Sequence, residues 1–264
     1  MDAKDRETAG TKFQRLVDIL SALRGPDGCP WDREQDARSI AGYFLEEVYE
    51  AVDALSRGDE RALAEELGDV LMEVVFLSRI FEENGAFDAA AALDGINDKM
   101  VRRHPHVFGG EKVDSADRVL DEWVRRKKEE KRRTSPFEGL PESAPALLGA
   151  FLMGQRAAQE AFDWPAAADA LAKVREELAE IEAALAHGAP EEIEEEIGDA
   201  LFALAQAARL AKIHPEIALR RANAKFAARY EALREAFADR GLKLKEASPA
   251  EMDRVWEEIK KRRA

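Results

Sequence analysis

Carboxylates recur in this chain at one spacing, twice. Glu46-Glu47-Val-Tyr-Glu50 is followed by Glu66-Leu-Gly-Asp69, and Glu176-Glu177-Leu-Ala-Glu180 is followed by Glu196-Ile-Gly-Asp199. Glu47, Glu50, Glu66 and Asp69 each have an acidic counterpart 130 residues further on. Residues three apart on a helix share a face, so each Glu-x-x-Glu and Glu-x-x-Asp projects two carboxylates together. Glu50 and Glu66 lie eight residues either side of Gly58, and Glu47 and Asp69 lie eleven either side. In an antiparallel hairpin turning at Gly58 the four therefore meet across the groove in two layers. Gly188 gives the same register to Glu180 with Glu196 and to Glu177 with Asp199. Four packed carboxylates repel and hold their protons unless a cation answers them. Oxygen-only ligands suit Mg²⁺ or Mn²⁺ better than zinc. A di-iron bundle uses Glu-x-x-His, and none of His104, His106, His187 or His214 has a glutamate three residues earlier. Glu46 and Glu176 head their motifs but point away from the inner pairs on a helical wheel.

The elements that position these groups read as helices. Phe13, Leu16, Val17, Leu20 and Leu23, then Phe44, Val48, Val52 and Leu55, follow a 3.6-residue period, whereas strand-like alternation is scarce. The expected fold is all-α, a tandem repeat of two helical domains, each built around an antiparallel acidic hairpin. Pro136, Pro141 and Pro145 with Gly139 break any continuous helix between the copies. The expected organisation is a first repeat over 1–134, a linker over 135–145 and a second repeat over 146–264.

The duplication extends to basic residues. Asn97, Lys99 and Arg103 correspond to Asn223, Lys225 and Arg229, and Trp123 with Lys127 and Lys128 corresponds to Trp256 with Lys260 and Lys261. Trp31 has a counterpart in Trp164. A lysine and an arginine four apart can grip phosphate oxygens, the guanidinium as a planar fork and the ammonium as a mobile charge. Trp123 and Trp256 serve either as anchors for their segments or as stacking surfaces for a base. No glycine-rich phosphate loop and no nucleophile elbow occurs in the sequence. Any phosphate must therefore be held by metal and side chains.

Composition narrows the classes. With 264 residues and 46% hydrophobic content the chain can fill one large core or two smaller ones. A formal net charge of −14 opposes binding to nucleic acid or to an anionic membrane. The lone Cys29 fits a reducing compartment, the first residues lack an apolar signal core, and the alanine-rich run from Ala200 is interrupted by Gln206 and Arg209. The expected location is the cytoplasm.

Glu-Glu-x-x-Glu followed by Glu-x-x-Asp, then Asn-x-Lys-x-x-x-Arg, together with Cys29-Pro-Trp-Asp32 and Arg103-His-Pro-His-Val-Phe108, resembles the two-repeat MazG nucleoside triphosphate pyrophosphohydrolases of the all-α NTP pyrophosphatase superfamily. The resemblance covers nearly the whole chain. It implies Mg²⁺-dependent hydrolysis of nucleoside triphosphates to monophosphate and pyrophosphate, in a homodimer. It implies that Glu177, Glu180, Glu196 and Asp199 hold metal, that Lys225 and Arg229 contact the triphosphate, and that Asn223 and Trp256 belong to the substrate site. Glu47, Glu50, Glu66, Asp69, Lys99 and Arg103 are the first-repeat equivalents. Phe226 and Tyr230, where the first repeat has Met100 and His104, favour the second repeat as the main hydrolytic site. An apolar flank at Leu71, Val74, Val75 and Ile80 suits a two-fold partner. The alternative is a non-hydrolytic nucleotide-sensing or partner-binding helical protein.

Overall fold

A computed structural model describes residues 3–110, then 115, 118, 119, 122, 123, 125 and 126, and residues 135–262. Lys127 and Lys128 of the expected first Trp-Lys segment lie outside the described residues. The chain divides into two compact units, Met1–Arg132 and Arg133–Ala264. Both are helical, and no strand occurs among the described residues.

In the first unit α1 (Ala3–Leu23) and the short α2 (Pro30–Glu34) precede the hairpin of α3 (Ala37–Arg57) and α4 (Glu60–Glu83), followed by α5 (Ala89–Arg103) and the single turn α6 (Pro105–Phe108). Local chemistry fixes the hairpin ends. Asp36 caps α3 by accepting from the backbone N–H groups of Arg38 and Ser39, and the Ser39 hydroxyl accepts in return from the Asp36 N–H. Gly58 ends α3 at φ +69°, a left-handed conformation that a side chain disfavours, and Asp59 caps α4 through the N–H of Ala62. Leu20 of α1, Ile40 of α3 and Val75, Phe76 and Ile80 of α4 form the core. Val75 and Ile80 are thus interior, a correction to the apolar flank expected from the sequence. Leu71 and Val74 do face solvent. The helix period alone cannot separate the stripe that meets α1 from the stripe beside it.

In the second unit α7 (Ala146–Ala158) starts directly after Pro145 and packs on the hairpin of α8 (Ala167–His187) and α9 (Pro190–Leu210). Then come α10 (Pro215–Ala238), a 3₁₀ turn (Leu244–Glu246) and α11 (Pro249–Arg262). Here the turn glycine works differently. Gly188 is extended, with φ −86°, but a Cβ would press on the Ala184 carbonyl and the Glu192 carboxylate that accepts from the Ala189 N–H. Leu233, Phe237, Val255 and Ile259 join α10 to α11.

In each unit one arginine ties the Trp-Asp segment to the hairpin. Arg24 donates to the carbonyls of Asp32 and Gln35 and pairs with Glu83 at 2.7 Å. Arg209 pairs with Asp163 and donates to Gln206 Oε1. Gln206 is fully buried and donates from Nε2 to the Ala150 carbonyl at 2.8 Å, which requires α7 to approach α9 closely at Gly154. Gly154→Ala would drive a methyl into this amide and the Arg209 guanidinium. It is expected to destabilise the second unit by about 1–3 kcal/mol, measured as a lowered urea midpoint. An unchanged midpoint would show that the network is not packed this way.

Candidate metal centre

Each hairpin brings carboxylates together. Glu47 on α3 and Glu66 and Asp69 on α4 offer oxygens that all lie within 4.8 Å of one another, and so do Glu177 on α8 and Glu196 and Asp199 on α9. Glu50 and Glu180 stand outside these trios. The four expected in two even layers are therefore three inner groups with one outer neighbour. Glu50 still bears on the site, because its charge is the foremost of those that act with burial to raise the Glu66 carboxyl. Burial, then the charges of Asp69, Glu50 and Glu66, raises the Glu47 carboxyl as well. In the second site burial followed by Glu177 and Asp199 raises Glu196, and a hydrogen bond with Glu177 raises Glu180. Such like-charge crowding is relieved by a divalent ion, and an oxygen-only donor set fits Mg²⁺ or Mn²⁺. Glu46 and Glu176 are exposed, outside both trios.

Two site residues escape the sequence pattern. Glu73 lies one turn beyond Asp69 on the same face of α4, only 4% exposed, and its Oε2 has no hydrogen-bond partner. Burial, reinforced by Glu47 and Asp69, pushes its carboxyl up to about 7. Its i, i+3, i+7 relation to Glu66 and Asp69 was available in the sequence, but no second copy marked it, since Ala203 occupies the equivalent position. Lys173 is the other. It pairs at 2.7 Å with Glu176 and with the buried Glu177, and this hydrogen bond holds the Glu177 carboxyl below the usual range against the effect of burial. Its place four residues before Glu177 was the signal. The first repeat has Tyr43 there.

The basic residues follow on α5 and α10. Asn223, Lys225 and the aromatic Phe226 are exposed, and Arg229 is half-buried. Among the described residues the cation paired with the second carboxylate group is Lys173, not Lys225 or Arg229. Phe226 stacks with Tyr230 at 6.2 Å between centroids and meets Trp256 at 5.5 Å, while Trp256 also packs on the α10–α11 core. The tryptophan thus anchors its helix and borders an open aromatic surface. In the first unit Lys99 is half-buried, and Arg103 is buried with its guanidinium 5.3 Å from the Trp123 ring centroid. His104 and His106 lie side by side at 5.6 Å, and His104 Nδ1 bonds the Met100 carbonyl. They are not part of either carboxylate group.

The MazG nucleotide pyrophosphohydrolase domain model matches this chain twice, over residues 35–108 and 167–233. The chain belongs to the MazG family. It is 37% identical over 254 residues to the nucleoside triphosphate pyrophosphohydrolase/pyrophosphatase MazG of Thermotoga maritima, covering 96% of this chain and 97% of the relative. It is 40% identical over 256 residues to the nucleoside triphosphate pyrophosphohydrolase of Escherichia coli, covering 95% and 97%. The Bacillus subtilis protein YabN is 39% identical over 261 residues, 97% of this chain and 53% of YabN. Each matched MazG segment contains a carboxylate hairpin and an Asn-x-Lys-x-x-x-Arg run. Trp123 and Trp256 fall outside the matched segments.

The first carboxylate group makes the stability of this chain sensitive to pH. The folded state holds the Glu73 proton up to about 7, whereas an unhindered glutamate releases it near 4.5. The folded state thus binds the proton more tightly, so Glu73 weakens the fold progressively as pH rises from about 4.5 through 7. In chelator, Glu73→Gln is expected to raise the melting temperature relative to the parent, by more at pH 8 than at pH 5. A difference that is equal at both pH values would count against a buried acid.

Proposed function

We propose that this chain hydrolyses nucleoside triphosphates to nucleoside monophosphate and pyrophosphate with Mg²⁺, Mn²⁺ serving as a substitute. The observation that carries the reading is the convergence of two oxygen-only carboxylate groups within 4.8 Å at matching positions of two MazG domains. Glu47, Glu50, Glu66 and Asp69 are the first ligand set, and Glu177, Glu180, Glu196 and Asp199 the second. A divalent ion so held supplies positive charge to the triphosphate and makes a water acidic enough to act as nucleophile near neutral pH.

The chain's own residues do the rest. The inner carboxylates hold the cation and fix its position between two helices. Lys225 and Arg229, with Asn223 beside them, grip the triphosphate in the second repeat, and Lys99 and Arg103 do so in the first. Lys173, already among the carboxylates, has its ammonium free to turn toward phosphate once a divalent ion answers Glu177. The water oxygen attacks the α-phosphorus, the α–β bridging bond breaks in line and pyrophosphate leaves. A carboxylate not engaged with the cation accepts the water's proton. Phe226, Tyr230 and Trp256 offer the base an aromatic surface that Met100 and His104 do not reproduce, which supports the second repeat as the main site.

The chain functions as a homodimer in the cytoplasm. Leu67, Leu71 and Val74 on α4, and their counterparts Ile197, Leu201 and Leu204 on α9, are exposed in the single chain, an apolar area that a two-fold partner would cover. No helix among the described residues is long and apolar enough to cross a membrane.

Separation of products from a panel of triphosphates is expected to yield monophosphate and pyrophosphate only when Mg²⁺ or Mn²⁺ is present. Diphosphate with orthophosphate as the first products would sink the reading. Asp199→Ala should lower turnover at least ~10²-fold while the circular dichroism stays helical, and Asp69→Ala should cost less. The reverse order would make the first repeat the main site.

A further inference from the structure

We propose that the first carboxylate site takes one more divalent cation than the second, with Glu73 as the added ligand. The inference rests on the metal-dependent reading above and goes beyond it by making the two sites chemically unequal. Its basis is one layer of the hairpin. Fifteen residues either side of the turn, the first repeat has Tyr43 on α3 and Glu73 on α4, and the second has Lys173 on α8 and Ala203 on α9.

In the second site this layer is complete. Lys173 supplies an ammonium 2.7 Å from Glu177, and the buried Ala203 leaves nothing polar to satisfy. The first site has the opposite chemistry. Glu73 is 4% exposed, its Oε2 has no hydrogen-bond partner, and it lies close enough to Glu47 and Asp69 to feel their charge. The opposing Tyr43 meets Trp31 at 6.1 Å and offers no positive charge. Arg57, the cation that acts on Glu66, belongs to the turn end of α3, fourteen residues after Tyr43. A buried carboxylate oxygen with no partner is costly. A second divalent ion beside Asp69 and Glu73 would satisfy it.

Charge supports the count. Five carboxylates with no ammonium in the third layer stand against four carboxylates with one, so once Glu73 gives up its proton the sites differ by two formal charges, the charge of one divalent ion. The two acidic layers shared by both repeats hold the common ion, and the Asp69–Glu73 turn of α4 holds the extra one.

The test counts Mn²⁺ bound to the full-length chain, from the loss of the free-ion electron paramagnetic resonance signal. With the second site disabled by Glu177→Gln and Asp199→Asn, the chain is expected to bind two equivalents, and adding Glu73→Gln should remove one. Glu73→Met keeps the volume and serves the same purpose if the glutamine variant does not fold. With the first site disabled by Glu47→Gln and Asp69→Asn, one equivalent should remain. If Glu73→Gln leaves both count and affinity unchanged, Glu73 is a buried acid that keeps its proton, and this proposal falls while metal-dependent hydrolysis stands. If the unmutated chain binds no Mn²⁺ at millimolar concentration, the metal-dependent reading falls with it.

Discussion

Repulsion between carboxylates across the interhelical groove is the constraint on which the rest of each repeat depends. Glutamates and aspartates brought within 4.8 Å of one another would push two helices apart or keep their protons, and burial at Glu47 and Glu177 sharpens both effects. The fold resists through features at the edges of the groove. In the first hairpin the left-handed Gly58 and the Asp59 cap set the turn, and Leu20, Ile40, Val75 and Phe76 hold the far end. In the second, the tight passage at Gly188 and the Gln206–Ala150 bond against α7 do the same work. A groove held open in this way keeps the acidic oxygens of each trio within 4.8 Å of one another.

The two copies answer that constraint by different means. Lys173 gives the second site an internal cation, so Glu177 can ionise although it is buried. The first site has no equivalent lysine, and Glu73 adds to the crowding where Ala203 relieves it. Divergence extends to the basic helices. Arg103 is buried against Trp123, whereas Arg229 lies on the helix that carries the open cluster of Phe226 and Tyr230 with Trp256. Duplicated hairpins with identical spacing therefore need not have identical affinity for metal or for nucleotide.

Glu83 and Asp163 show a second use of acidic residues in this chain. Arg24 holds the Glu83 carboxyl below its usual range by a direct hydrogen bond, and Arg209 pairs with Asp163. These carboxylates are satisfied within the protein and tie loops to the hairpins. The site carboxylates instead face one another across the groove. Acidity alone distinguishes neither group.

The sequence by itself determined the helical class, the duplication and three carboxylates of each group, Glu47, Glu66 and Asp69 and then Glu177, Glu196 and Asp199, because helical spacing of three and four and the symmetry about Gly58 and Gly188 are properties of the chain order. It could not rank the carboxylates by distance. Glu50 satisfies the same periodic rule as Glu47 yet lies outside the inner trio, a difference set by how α3 and α4 cross. Nor could it tell that Val75 and Ile80 are interior while Val74 faces outward, since adjacent apolar stripes on one helix look alike until a neighbour covers one of them. Glu73 and Lys173 needed the tertiary structure most. Each is a single charged residue in an acidic, helical chain, and only the packing of α4 against α3, and of α8 against α9, buries the one without a partner and sets the other among carboxylates.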